Sequence, residues 1–253
     1  ANSDKRLLSS DGMATWSAGR HLVSLYAQKW QVLQDLDAPI APPFNRLPQL
    51  RWSYDTTHWA SQGWDVNLTA ETTRFEADTW NGLNHPDNGQ RSYALAQISR
   101  PYLLPGGFIT PKLQLQTSHY QFNDASALRP QSVSRTIPTV SLDTGLVFER
   151  ETAWRGSNYV QTLEPRAFYT YTPYRDQSML PLYNTALADF NFGAIYSENS
   201  YTGRDRIADN NMVTLGLTTR YLRADNGAEV ARFGVAQRLR FEDQRVGLGY
   251  DTL

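Results

Sequence analysis

The feature that most constrains this chain is a two-residue hydrophobic period that keeps returning. In LRWSYDT, Leu50, Trp52 and Tyr54 alternate with Arg51, Ser53 and Asp55. WDVNLTAET sets Trp64, Val66, Leu68 and Ala70 against Asp65, Asn67, Thr69 and Glu71. PKLQLQTS sets Leu113 and Leu115 against Lys112, Gln114 and Gln116. PTVSLDTGLVFE sets Val140, Leu142, Leu146 and Phe148 against Thr139, Ser141, Asp143 and Glu149. MVTLGLTTRY and ARFGVAQRLRF repeat the pattern, with Arg220, Arg238 and Arg240 on their polar sides. Successive side chains of a strand point to opposite faces, so each run is a strand with one apolar and one polar face. HLVSLYAQKWQVL alternates less cleanly and suggests a register slip near Lys29; YALAQIS is apolar on both faces, and MATWSA is short. Counting them gives ten or eleven strands and an all-β chain.

The connectors alternate in length. Short ones fall near Ala18–Arg20, Ala60–Gly63, Pro105–Gly107, Glu151–Asn158 and Arg223–Gly227. Long ones fall near Asp35–Pro48, Asp78–Gln90, Asn123–Arg135 and Tyr174–Asp209. In an antiparallel meander alternate connectors lie at the same end, so all the short turns share one end and all the long loops the other. That asymmetry, with aromatics such as Trp52, Trp64, Tyr169, Tyr171, Tyr221 and Phe241 near strand ends, is the pattern of a transmembrane β-barrel. The polar faces are rich in Gln, Thr, Ser and Arg and poor in Lys, as suits a crowded wet interior. Two other readings stay open: a general porin or receptor barrel, and a soluble carbohydrate-binding β protein whose Trp and Tyr stack on sugars.

Composition narrows the chemistry. Net charge is −1 over 253 residues, so no basic field points to nucleic acid. Cysteine is absent, which removes disulfides and thiolate metal sites from this segment. No run of 18 apolar residues forms a transmembrane helix. A mean hydropathy of −0.53 is compatible with a membrane barrel, whose inner residues and loops dilute its apolar wall. No GxSxG, HExxH or P-loop occurs, and His21, His58, His85 and His119 are scattered, so no enzyme, cofactor or metal is expected. Asp205, Asp209, Asn210 and Asn211 read as a hydrogen-bonded turn rather than a divalent-ion loop. The opening ANSDKRLLSSDG reads as mid-chain sequence, the expectation being a segment of a longer protein.

LEPRAFYTYTPYRDQ, Leu163–Gln177, shows the two faces most sharply. Leu163, Pro165, Ala167, Tyr169 and Tyr171 form the apolar set, with the tyrosines near the outer headgroups. Glu164, Arg166, Phe168, Thr170 and Thr172 form the other. An arginine at the lipid midplane costs about 2–4 kcal/mol, so Glu164 and Arg166 belong inside. They serve either a wet polar wall or an ion-pair ladder with Arg220 or Asp143; the ladder is favoured. Phe168 is the misfit, expected to pack on an inward loop or on whatever else fills the interior. Pro165 lacks a ladder donor and is expected at a bulge, or else at a weak pairing seam.

FERETAW (Phe148–Trp154), QTLEPRAFYTYTPYRDQ (Gln161–Gln177) and GRDRIADNN (Gly203–Asn211) resemble the LptD family of outer-membrane lipopolysaccharide-assembly proteins. SSDGMATWSAG, AQKWQVL and PQLRWSYD are similar to its preceding strands. After RFEDQR that family has a longer loop, whereas VGLGYDTL follows at once here.

The resemblance implies part of an up-and-down barrel of 26 strands in the outer membrane of a Gram-negative bacterium, with residues 1–253 in one barrel domain. It implies an LptE-like lipoprotein plug, lipopolysaccharide as cargo, and a periplasmic Lpt bridge reached through a jellyroll outside this segment, as are the family's cysteines and gate strands. Candidate lumen-facing residues are Arg51, Glu71, Lys112, Asp143, Glu164, Arg166, Arg220 and Arg238. The loop 174–209 is apolar enough to be ordered. It either folds over or into the barrel and touches the plug, or is an outside hairpin packed on itself. Its candidate plug contacts are Tyr174, Arg175, Asp176, Leu182, Tyr183, Phe190 and Phe192.

Overall fold

Strand follows strand in chain order across a single antiparallel sheet in the computed structural model, which describes residues 6–35, 37, 39–59, 63–79, 85–124, 130–189 and 191–249. The strands are β1 (Leu7–Ala18), β2 (His21–Val32), β3 (Asn45–Trp59), β4 (Trp64–Glu76), β5 (Gly89–Ser99), β6 (Tyr102–Leu104), β7 (Gly107–Phe122), β8 (Ser132–Leu146), β9 (Phe148–Trp154), β10 (Ser157–Thr172), β11 (Asn210–Arg223) and β12 (Glu229–Arg240). The sheet order is β1-β2-β3-β4-β5-β7-β8-β10-β11-β12, with β6 on β7 and β9 on β10. This up-and-down sheet is not closed upon itself within the chain.

Twelve strands make ten spans, because two pairs are single spans with a break. Ser99 pairs Lys112 and Tyr102 pairs Ile109, so β5 and β6 hold one register across Arg100–Pro101. Gly145 pairs Arg166 and Phe148 pairs Leu163, so β8 and β9 do the same across Val147. The slip expected near Lys29 appears as a register shift between Tyr26 and Gln28.

The sheet is strongly staggered. A line perpendicular to the strands from Leu25 passes through Leu50, Thr72, Ser92, His119 and Ser134, then leaves the sheet past the end of β10. Such stagger accompanies the strand tilt of barrel walls.

Turn geometry corrects one expected connector. Glu151–Asn158 shrinks to Arg155 and Gly156, whose φ angles of 51° and 79° make the doubly left-handed turn that joins twisted strands tightly. Glu151–Trp154 and Ser157–Asn158 are paired strand instead.

Pro165 is not at a bulge. On the β11 side the register runs unbroken from Tyr159↔Arg223 to Thr172↔Asn210, with Pro165 opposite Leu217. On the other side pairing stops at Arg166↔Gly145 and resumes at Leu163↔Phe148 without a slip. The Val147 N–H donates to the Gly106 carbonyl at 2.8 Å, toward β7. Strand alternation then turns Leu146 toward Pro165, which has no N–H to give. One ladder bond is lost and no residue is inserted, which is the seam rather than the bulge.

The two faces differ as the alternation requires. One face carries Leu113, Leu115, Val140, Leu142, Leu215 and Leu217, all exposed. The other is covered from β4 to β12 by the described residues of the 173–209 segment, 173–189 and 191–209, which lie across it as a strap. We call the covered face inner. Its apolar centre is Phe75, Tyr120, Phe122, Leu180 and Tyr183, flanked by Phe44 and Val133. A second cluster joins Tyr201 and Ala208 of the strap to Val246 and Leu248, beyond β12.

Candidate functional site

The inner face and its strap hold the chain's buried polar chemistry. Tyr183 supplies the apolar anchor: its ring stacks on Phe75 with centroids 4.0 Å apart and planes 7° apart. Phe44 meets Tyr183 edge-on at 4.9 Å, and the Tyr183 hydroxyl donates to the Asp87 carbonyl at 2.6 Å. Aromatic pairs of this kind contribute about 0.5–1.5 kcal/mol beyond their burial.

Asp205 supplies the polar anchor. Its carboxylate accepts from Arg91 at 2.6 Å, Tyr120 at 3.2 Å, and the backbone N–H groups of Tyr183 and Asn184 at 2.8 and 2.9 Å. Arg91 also pairs with Glu71 at 3.0 Å and donates to Asn184. Both Arg91 and Asp205 have wholly buried side chains. Arg135 donates to the Asp205 carbonyl at 2.6 Å and also to Gln177 and the Arg204 carbonyl. Buried charges persist only where such partners satisfy them. Asp209 accepts from the backbone N–H groups of Arg245 and Val246, so in place of the expected local turn Asp205 and Asp209 tie together segments distant in sequence.

A third anchor lies over β10–β12. The Arg166 guanidinium sits 4.0 Å from the Tyr196 ring centre, and Phe168 meets that ring edge-on at 6.4 Å. Phe168 therefore faces the inward loop. Glycines make room for the rings: a Cβ on Gly216 would lie 1.6 Å from the Tyr196 hydroxyl, and one on Gly234 2.6 Å from Phe192. Burial pushes the Tyr196 phenol up from its ordinary value, and Arg166 partly opposes this.

The eight expected inner residues all share this face. Arg166 grips Asp143 with two bonds of 2.9 and 2.6 Å, and Arg220 pairs with Glu164 at 2.6 Å, forming the ladder expected between neighbouring strands. Lys112 pairs with Glu198 of the strap, Arg238 donates to the Ile195 carbonyl, and Arg51 stands opposite Glu71 in register. Of the expected loop residues, Tyr183 is buried against the wall and Leu182 is half-buried. Tyr174 lies under the Arg245 guanidinium at 4.1 Å. Phe192 reaches Gly234 while staying 45% exposed, Arg175 and Asp176 are exposed, and Phe190 lies outside the described residues. Hydrogen bonds from Ser178 hold the Asp176 carboxyl below the usual range.

Sequence reasoning missed Arg91, Arg135, Tyr196 and Glu198. Arg135 ends the long connector expected at Asn123–Arg135, whereas β8 begins at Ser132. A lone arginine on a polar strand face gives no sign that its partner lies in a loop far along the chain. Among the described residues no group of three or more His, Asp or Glu could hold a metal ion. The arrangement is a polar wall, its charges held by carboxylates and by carbonyls, closed by a packed strap.

A family model described as LPS transport system D, LptD, matches residues 1–253. The chain is 54% identical over 242 residues to the LPS-assembly protein LptD of Acidovorax sp. (strain JS42), covering 96% of this chain and 29% of that protein. It is 53% identical over 243 residues to the protein of the same name from Paracidovorax citrulli (strain AAC00-1), with shares of 96% and 29%. It is 48% identical over 248 residues to that of Polaromonas sp. (strain JS666 / ATCC BAA-500), with shares of 96% and 30%. The chain thus spans about three-tenths of the length of these curated relatives.

Proposed function

The chain belongs to the LptD family, and on that premise we propose that it is a section of barrel wall in the Gram-negative outer membrane, through which lipopolysaccharide reaches the outer leaflet. One observation carries the reading: the sheet has an apolar face left bare and a polar face that is strapped. Exposed leucines and valines across the six adjacent spans from β5–β6 to β12 exceed what a soluble monomer leaves in water. Lipid is the solvent that suits them, and the hydrogen-bonded ladders satisfy the backbone there. Short turns then face the periplasm and long loops the outside. The inner face, lined with hydrogen-bonded charges and hydroxyls, offers sugars and phosphates a wet surface.

The partners follow from the same premise. An LptE-like lipoprotein plug would rest against the inner side of the wall, and the periplasmic Lpt bridge would deliver cargo through a jellyroll. Tyr183 is turned to the wall, so a plug contact through the strap falls to its exposed positions, such as Arg175, Asp176 and Leu187. The role is passage and assembly, and no catalytic step is assigned to these residues.

Spin labels at Leu142→Cys and Leu215→Cys in the reconstituted protein test the orientation. Molecular oxygen, which concentrates in lipid, is expected to relax both labels, and a polar nickel chelate to reach neither. Equal access for the chelate would reject the lipid-facing wall. Co-purification of the lipoprotein with Leu187→Arg or Arg175→Glu tests the plug contact; full retention in both variants would remove the strap from that interface.

A further inference from the structure

At the short-turn end of β9–β12 the outer face is not flat. A cavity of about 520 Å³ opens there, lined by Thr152, Trp154, Tyr159, Tyr221, Ala231 and Phe233. Register explains it. Tyr221 pairs with Ala231 and Leu222 with Glu229, so Val230 is an extra residue that spreads β12 from β11 beside the cavity. Ala231 forms a small floor between larger rings. The volume falls within the roughly 300–1,000 Å³ usual for ligand sites.

The rim is cationic. Arg155, in the left-handed turn after Trp154, lies 4.7 Å from the centre of the Trp154 ring. Neighbouring Arg223 and Arg232 are held by Asp225 and Glu229 at 2.8 Å each. Among the described residues Arg155 has no carboxylate partner, and it is exposed. A guanidinium presents a fork of donors suited to a phosphodiester. An apolar slot that leads to a free guanidinium fits an amphiphile with an acyl chain and a phosphate.

We propose that this slot holds a glycerophospholipid of the periplasm-facing leaflet, an acyl chain lying between Trp154, Tyr159, Tyr221 and Phe233 and the phosphate resting on Arg155. The inference rests on the lipid-facing reading of the outer face. The site would anchor the long β9–β10 hairpin at a fixed depth in the membrane.

The test places a benzophenone photo-crosslinking residue at Phe233 in the full-length protein, reconstituted in nanodiscs with phosphatidylethanolamine and neutral diacylglycerol at equal mole fraction. Capture of the phospholipid is expected to exceed that of diacylglycerol by about fivefold, as for one exposed charge pair. Arg155→Gln should bring the ratio to parity and Arg155→Lys should largely keep it. Ala231→Trp, which fills the slot, should lower capture of both lipids. Equal capture by the unsubstituted site, or an unchanged ratio in Arg155→Gln, overturns the site. The same probe at Trp16, on the outer face of β1, serves as control: failure to capture either lipid there would sink the lipid-facing reading itself.

Discussion

Arg91 and Asp205, 114 positions apart in sequence, meet at 2.6 Å with both side chains wholly removed from solvent. Arg91 stands on the sheet and Asp205 in the strap, so their pair fixes to the sheet a loop whose own backbone pairing, among the described residues, is a single bridge between Leu187 and Tyr201. Arg91→Leu would leave the Asp205 carboxylate buried without its cation. Breaking one partner of such a pair costs about 3–5 kcal/mol. Urea unfolding in detergent micelles is expected to show a loss of that size, with early proteolysis within 184–200. A loss below about 1 kcal/mol, the range of an exposed pair, would refute the anchor.

Pro165 supplies the second prediction. Pro165→Ala returns an N–H opposite the Leu146 carbonyl. The restored bond is worth about 1 kcal/mol, while the freer unfolded chain takes back about 0.4–1 kcal/mol. Net stability should therefore move little. Amide exchange is the sharper measure: the new amide should be protected like its neighbours in β10. Exchange as fast as that of the turn amides at 155–156 would show that Leu146 is turned elsewhere.

A third outcome concerns pH. The Tyr196 phenol is raised above its ordinary value by burial, so its neutral form is favoured in the folded strap. The stabilisation is therefore complete below the unfolded value of about 10, and is lost as pH rises through the higher folded value. The absorbance difference between the native protein and Tyr196→Phe should reveal a phenol ionising above pH 10, with strap proteolysis rising alongside. Ionisation at or below the ordinary value would contradict the burial of that ring.

The wall was legible because alternation is a local signal. Leu163–Thr172 assigns each side chain to a face, and the structure keeps every assignment. Glu164 and Arg166 found neighbours on adjacent strands, within reach of a register argument. The strap was not legible in the same way. Its 173–209 segment has no period, and its anchors join Tyr183 to Phe75 and Asp205 to Arg91 across long stretches of chain. Nothing in GRDRIADNN says which arginine its aspartate will meet. Pro165 misled for a subtler reason. A missing donor implies an interruption, but whether a residue is inserted depends on which neighbour the absent N–H faces. The Arg155 turn is shorter than the sequence implies because the polar residues around it carry no apolar period, although Gly156 marks the place.

The last prediction follows from a glycine that the alternation had put on the polar face of β11. Gly216 lies under Tyr196, where an added Cβ would stand 1.6 Å from the hydroxyl. The phenol end must move, and with it the contacts to Arg166 and Phe168. Overpacking of this kind costs about 1–3 kcal/mol. Gly216→Ala should therefore destabilise the protein and loosen the strap near Tyr196, while the outer face, where position 216 has no side chain, is unchanged. Tyr196→Ala should cost less in the Gly216→Ala background than alone, because the ring it removes is already displaced. A double-mutant cycle by urea unfolding measures this coupling. Strict additivity would mean that Tyr196 and Gly216 do not touch, and the seating of the strap on β11 would have to be redrawn.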